Sequence, residues 1–222
     1  MEIIARLHND FPTKFGLPRQ SGLVRTLESV IVFEPAYRVP EALRGLEDFS
    51  HLWLVWQFHQ AQRETWSPTV RPPKLGGNAR VGVFATRSPF RPNPIGLTCV
   101  KLEKIVHDPH LGHVLHVTGA DMVDGTPILD IKPYIPYADC RPDAVGGFAD
   151  AHAEDRLTVD FPPELLSRIP EDRRATLLDA LAQDPRPAYQ RDPDRLYGLP
   201  YAGFDVKFTV SGNTLTVTDV LL

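Results

Sequence analysis

The sequence is poor in cysteine, in long apolar runs and in the short signatures of the commonest nucleotide and hydrolase sites. Each shortage closes off a class of function. The only cysteines among 222 residues are Cys99 and Cys140, and no CxxC spacing occurs. That excludes a disulfide framework and a zinc ribbon, and two reduced thiols in a reducing compartment are expected. No apolar run approaches the roughly 20 residues that a membrane span requires. The opening MEIIARLHNDFP has no basic start followed by an apolar stretch, so no secretory leader is expected and a cytoplasmic location follows. Walker-type phosphate loops, the Rossmann GxGxxG, HExxH and the GxSxG elbow are all missing. The net charge of −4 argues against a surface that clings to nucleic acid everywhere, and neither DNA nor a membrane is expected as a partner.

What the chain does hold is proline, 22 residues of it, about twice ordinary usage, which favours strands, turns and rigid loops over long helices. Segments such as SVIVFEPAY, HLWLVWQF, ARVGVFATR, LTCVKLEKI, HVLHVTGADMV and PILDIKPYI are short, rich in branched and aromatic residues, and bounded by turn formers. They read as strands. Between them only PEALRGLEDF, residues 40–49, reads as a helix, starting at a proline with acids near its first turn. A mainly β N-terminal domain, a single-sheeted β-barrel over residues 1–145, is the economical architecture. The Gly, Ala, Asp and Pro of CRPDAVGGFADAHAED break that rhythm, and residues 146–222 read as a small α+β C-terminal domain. It comprises a strand in RLTVDF, helical spacing through Leu165, Leu166, Ile169, Leu177, Leu178 and Leu181, and a hairpin around Ser211, Gly212 and Asn213. At about 70 residues it has little independent stability and should dock on the barrel or on a partner chain.

Four stretches could carry chemistry. Residues 71–97, RPPKLGGNARVGVFATRSPFRPNPIGL, hold five prolines and four glycines around Arg80, Arg87, Ser88, Arg91 and Asn93, and residues 71–91 contain no acid. A stiff loop carrying arginines suits an anionic group, a carboxylate or a phosphate; surface ion pairing is the plainer alternative. In DMVDGTPILDIKPYIPYAD, residues 121–139, Asp124 and Gly125 form a tight turn, while Asp121, Asp130 and Lys132 stand among apolar residues. In FSHLWLVWQFHQ both strand faces are largely apolar, which predicts burial on two sides, a core role for His51, and His59 with Gln60 at the strand end near a ligand. The run HDPHLGHVLH spaces His107, His110, His113 and His116 by three, but it spells a turn between strands, so the four should diverge and no metal site is expected.

The combination of GLPRQSGLV, FSHLWLVWQFHQ, residues 71–97 and residues 121–139 resembles the TsaA-like (TrmO) tRNA methyltransferases, in the family's order and spacing. The later DPRPAY, residues 184–189, resembles the short motif of that family's C-terminal domain. The resemblance implies a homodimer of barrels that binds S-adenosyl-L-methionine near the subunit interface. It implies methylation of N6 of threonylcarbamoyladenosine beside the anticodon of tRNA. Carried over position by position, the cofactor contacts fall on Pro18, Arg19, Gln20, His59, Gln60, Arg87, Leu97, Asp124, Gly125, Thr126 and Pro127. The cofactor's carboxylate suits Arg19 or Arg87, its ammonium Asp124, and its adenine Leu97 with Trp53 or Phe90. A base for the acceptor N–H would be Asp124, Asp130 or His59, with Tyr134 a weaker choice. Arg91, Arg186, Tyr189 and Arg191 are the expected RNA contacts. A non-catalytic S-adenosylmethionine- or RNA-binding barrel and a metal-dependent hydrolase using the histidine run are the competing readings.

Overall fold

The computed structural model describes residues 1–61, 65–72, 75, 79–152, 155–187, 190 and 192–222. Six strands close an antiparallel barrel in the order β1-β2-β7-β6-β3-β8. They are β1 (Ala5–His8), β2 (Glu28–Phe33), β3 (His51–Gln57), β6 (Ile95–Asp108), β7 (Gly112–Thr118) and β8 (Thr126–Pro133). β1, β2, β3 and the first half of β6 alternate as half-buried strands must. In β3, Leu52, Leu54 and Trp56 are buried while His51 is exposed and Trp53, Val55 and Gln57 are half-buried. The 14-residue β6 turns the barrel's corner: its first half pairs with β3, its second with β7, and the register shifts between Leu102 and Lys104. A second shift, between Val55 and Trp56 against β8, leaves Leu129 as the extra residue.

Leu7, Ile31, Leu52, Leu54, Leu115, Met122 and Ile128, all essentially inaccessible, fill the barrel. A six-stranded barrel packed this way has no room for a ligand inside, so any site must lie on its rim or outer wall. The register decides which rim. His8 meets Val30, Glu28 meets Thr118, Gln57 meets Ile95, and Leu7 meets Thr126. The β1–β2, β3–β6 and β7–β8 connections therefore all leave from one end of the barrel.

A second sheet has the order β10-β11-β12-β9. It is built from β9 (Thr158–Asp160), β10 (Tyr197–Tyr201), β11 (Phe204–Ser211) and β12 (Thr214–Leu221). The two helices α1 (Pro163–Leu166) and α2 (Glu171–Ala182) bury Leu165, Leu177, Ala180 and Leu181 in its core. That core also takes Phe11, Val24 and Leu27 from the long β1–β2 loop. The loop is fastened further by Arg173 donating to both carboxylate oxygens of Asp10, Thr176 Oγ1 donating to Thr26 O at 2.8 Å, and Ala202 N donating to Asp10 O at 2.9 Å. The loop that joins two barrel strands is thus buried in the second core, which ties the two units together.

The expected barrel with an α+β companion is what forms, and four local expectations change. Residues 40–49 make two 3-10 turns, Pro40–Leu43 and Leu46–Asp48, because Gly45 between them takes φ 84, outside the helical region. ARVGVFATR is strand only at Val81–Gly82 (β5, paired with β4, Thr69–Val70) before a 3-10 turn at Val83–Ala85. β3 is buried on one face, and His51 is an exposed residue whose Nδ1 lies 2.9 Å from Ser50 Oγ. The histidine run does form a strand-turn-strand, but His107 and His113 are cross-strand partners with rings 5.0 Å apart instead of diverging. Among the described residues no three His, Cys, Asp or Glu side chains are grouped to hold a metal ion.

Candidate functional site

The rim gathers residues that are far apart in the chain. Arg87, exposed on the β3–β6 connection, donates from Nη1 to Gln20 Oε1 at 2.6 Å, which ties that connection to the β1–β2 loop. Pro18, two residues before Gln20, is buried, while Arg19 donates from Nη2 to Asp184 O at 2.9 Å and Arg186 O at 3.1 Å. The segment before β10 is thereby docked on the loop that precedes β2. Gln60, just past β3, lines an open cleft of about 460 Å³ with Thr13, Lys14, Phe15, Pro185, Arg186 and Pro187. His59 beside it is exposed, and partial desolvation with the nearby Arg6 cation lowers its pKa, so the imidazole is held neutral and able to accept a proton.

The third connection supplies the turn at Asp124 and Gly125. Thr126 donates to Val123 O from both its backbone N (3.2 Å) and Oγ1 (2.6 Å), which closes the turn and buries Thr126 and Pro127 at the start of β8. Asp124 Oδ1 accepts the Asn9 N–H at 3.1 Å and stands 3.1 Å from His8 Nδ1. Arg6 Nη1 donates to Gly125 O at 3.3 Å, placing its positive charge between this turn and His59. Leu97, third residue of β6, is 56% exposed on the outer wall, opposite Val55.

Other anticipated residues lie elsewhere or are already engaged. Asp130 is on the outer wall, with Oδ2 paired to Lys132 Nζ at 2.8 Å and Oδ1 accepting the Ile131 N–H at 2.9 Å. Tyr134 and Trp53 pack on each other at 5.8 Å toward the opposite end of the barrel, and Trp53 Nε1 donates to Asp139, away from the rim. Arg91 donates to Thr86 O at 2.6 Å and Val83 O at 3.3 Å, bracing its own loop. Arg186 is 13% exposed and donates bidentately to Asp184 from Nε (2.8 Å) and Nη2 (3.0 Å). Tyr189 and Arg191 lie outside the described residues.

The site also contains a group that the sequence showed only as an acid among apolar neighbours. Asp121 is set into the rim between Ala120 and Met122, both buried. Its Oδ1 accepts the Thr98 hydroxyl at 2.6 Å, and Thr98 Oγ1 in turn accepts the buried Trp56 indole N–H at 2.9 Å. Trp is a donor only, so the order Trp56 to Thr98 to Asp121 is fixed. Burial pushes the Asp121 carboxyl above its usual range, opposed by the Thr98 hydroxyl, its own backbone N–H, Arg87 and the Ser21 N–H. The carboxyl thus lies beneath the Gln20–Arg87 bridge. A basic guanidinium, two acids, a neutral imidazole and an exposed leucine around one rim fit a ligand that carries both charges and a flat apolar part.

Comparison with known proteins decides the family. A model of the tRNA-methyltransferase O N-terminal domain matches residues 6–140, and a model of the TrmO C-terminal domain matches residues 154–221. The chain belongs to the tRNA-methyltransferase O family. It is 42% identical over 219 residues to the tRNA (adenine(37)-N6)-methyltransferase of Escherichia coli strain K12, covering 95% of this chain and 92% of that one. It is 45% identical over 174 residues to the enzyme of the same description from Eikenella corrodens, covering 78% and 97%. A solved crystal structure of TrmO superposes with TM-score 0.79 at 35% identity over 99% of this chain and 97% of that one. A crystal structure of TrmO from Pseudomonas aeruginosa gives 0.77 at 34%, over 99% and 97%. The N-terminal TrmO match takes in all three rim connections, and the C-terminal match takes in Asp184 and Arg186.

Proposed function

We propose that this chain is an S-adenosyl-L-methionine-dependent methyltransferase that methylates N6 of adenine 37 of tRNA, the activity named for its Escherichia coli relative. In this reading the acceptor is the threonylcarbamoylated base, residues 1–145 form the catalytic barrel, residues 146–222 help hold the tRNA, and the enzyme is a cytoplasmic homodimer. The observation that carries the site is the convergence of three rim connections, joined by the Gln20–Arg87 hydrogen bond at 2.6 Å and the Asn9–Asp124 hydrogen bond at 3.1 Å. Exposed Leu97 with the half-buried Val55, Cys99 and Ile95 around it gives the outer wall an apolar patch suited to a second barrel.

When bound, the cofactor supplies a methyl group on a sulfonium that is already a good leaving group. The chain's own residues bind, orient and accept a proton. Arg87 would take the carboxylate, Asp124 the ammonium and Leu97 the adenine. The Gln60 end of β3 and the Asp124–Pro127 turn shape the rest. The acceptor nitrogen is delocalised into a carbonyl and the purine, so proton removal as the methyl arrives favours reaction. His59, neutral and exposed on the rim, can accept that proton. Asp124 is taken by the ammonium in this arrangement, and Asp130 is committed to Lys132 on the outer wall. By fixing the cofactor and the base on one rim, these residues would contribute orientation as well as binding.

Asp121 acts here as a positioning residue, holding Arg87 and the Gln20–Ser21 segment from below. Burial makes its charged form costly to the fold. A carboxyl whose pKa is raised on folding loses stability for the protein as pH climbs from the unfolded value through the folded one. Asp121→Asn keeps an oxygen for the Thr98 hydroxyl and removes that cost, so its Tm at pH 7 should equal or exceed the parent's. Affinity for S-adenosylmethionine should fall roughly fivefold to tenfold through the misplaced Arg87, about the value of one ordinary hydrogen bond. The parent's affinity should also drop on acidification while that of Asp121→Asn stays flat over the same range, as titration calorimetry would record. A variant that loses stability and keeps its affinity would leave Asp121 as packing alone.

The deciding experiment offers radiolabelled S-adenosylmethionine with a natural tRNA pool and with an unmodified transcript. Label entering only the natural pool is expected. Label in neither, with the cofactor still bound, would make the chain a binding module.

A further inference from the structure

Two aromatic rings stand in solvent beside the site and nothing in the reading above uses them. Trp66 is 49% exposed and Phe84 71% exposed, and their rings lie 6.2 Å apart at 28°, close to parallel. Neither is there by looseness of the chain. Thr69 pairs with Gly82 and Val70 with Val81, and Val83 N donates to Pro68 O at 3.0 Å, which brings the residue before β4 and the turn after β5 side by side. Ser67 Oγ donates to Thr69 O at 2.6 Å and Thr86 Oγ1 to Val83 O at 2.9 Å, stiffening both ends. The Arg91 guanidinium lies 5.6 Å from the centre of the Phe84 ring while donating to Val83 O and Thr86 O. It therefore fixes the turn that presents Phe84.

The segment that carries these rings has charge of one sign. From Thr65 to Pro94 there is no Asp or Glu, whereas Arg71, Lys74, Arg80, Arg87 and Arg91 all fall within it, in a chain whose net charge is −4. Flat apolar faces held rigidly in a cationic setting match a single-stranded polyanion with flat bases: loop nucleotides splay out and stack on aromatics or arginines, and backbone phosphates meet the cations. Phe84 is three residues from Arg87, so a base stacked here lies next to the rim where the cofactor is proposed to sit.

We propose that Trp66 and Phe84 form a stacking shelf for an unpaired base of the tRNA anticodon loop, with Arg91 as the brace that holds the shelf instead of a direct phosphate contact. This rests on the tRNA methyltransferase reading above. Both rings are exposed, so alanine replacements should fold with unchanged Tm.

The test measures methylation kinetics on the natural tRNA pool, S-adenosylmethionine affinity by calorimetry, binding of a labelled anticodon stem-loop by fluorescence anisotropy, and oligomeric state by sedimentation. For Trp66→Ala and Phe84→Ala the KM for tRNA and the stem-loop Kd should each rise roughly tenfold. Cofactor affinity and oligomeric state should not change, and Phe84→Tyr should behave as the parent. Unchanged tRNA affinity in both alanine variants overturns the shelf. So does a loss confined to cofactor affinity, or dissociation of the oligomer, which would make the rings a contact between copies. A parent that neither methylates tRNA nor binds the stem-loop refutes the underlying reading, a result distinct from parent and variants that bind equally well.

Discussion

Arg87→Ala is expected to weaken S-adenosylmethionine binding by roughly tenfold to a hundredfold and to leave thermal stability within a degree or two of the parent. The two halves of that expectation come from different facts. Arg87 is exposed, and its hydrogen bond is a surface contact with Gln20 Oε1, so its removal opens no cavity and strands no buried donor. An arginine meeting a carboxylate in a partly enclosed site, however, forms a charge-assisted hydrogen bond worth ~1.5–3 kcal/mol, and every 1.4 kcal/mol is a factor of ten in Kd. Arg87→Lys should recover only part of the loss, because a lysine keeps the charge without the planar fork that can meet Gln20 and the ligand together. Calorimetric titration with thermal unfolding of each variant checks both halves. Unchanged affinity in Arg87→Ala would move the carboxylate contact elsewhere, with Arg19 the next residue to test.

Gly96→Ala is expected to be the most destabilising single-methyl change on the barrel wall. Gly96 faces Trp56 across the β3–β6 pair, and a Cβ built on it would lie 2.1 Å from Trp56 Cε2 and 2.4 Å from Cζ2. The indole cannot step aside cheaply. It is buried, its N–H is committed to Thr98 Oγ1, and the Phe58 ring sits 4.2 Å away on centres. Overpacking of this kind costs about 3 kcal/mol, which corresponds to a Tm loss of roughly 6–12 °C for a chain of this size. Displacing the indole also disturbs the hydroxyl that orients Asp121, so cofactor affinity should fall alongside stability, unlike in Arg87→Ala. The double variant Trp56→Phe/Gly96→Ala provides the check, since a smaller ring makes room for the methyl. Its Tm should lie above the sum of the single losses. Simple additivity would show that the contact with Trp56 is not the cause.

The second core shows why residues 9–27 could not be read from the sequence. NDFPTKFGLPRQSGLVRTL has neither period two nor period 3.6, so it passes for a surface loop. Phe11, Val24 and Leu27 are nonetheless fully buried, because helices and strands more than 130 residues later close over them. The same holds for Arg186, which looked available for RNA and is instead held by Asp184 two residues before it. Asp184 has a φ of 53, a backbone state that short-range patterns do not announce. The proline-rich central loop is a partial case. Its composition correctly signals rigidity, yet its arginines turned to carbonyl oxygens, an aromatic ring and Gln20 as readily as to anything anionic.

Alternation and punctuation were enough to specify most of the barrel strands, the C-terminal hairpin at Gly212 and Asn213, and the turn at Asp124 and Gly125, because these depend on side-chain period and local backbone preference. The four motif stretches were enough to place the chain in its family. Only the tertiary structure could bring Arg87 to Gln20, seat Asp121 on Thr98 and Trp56, stack Trp66 near Phe84, and put Asp130 and Tyr134 away from the rim. Those juxtapositions follow from barrel closure and strand register, which are set by all six strands packing one interior at once and are encoded in no single segment.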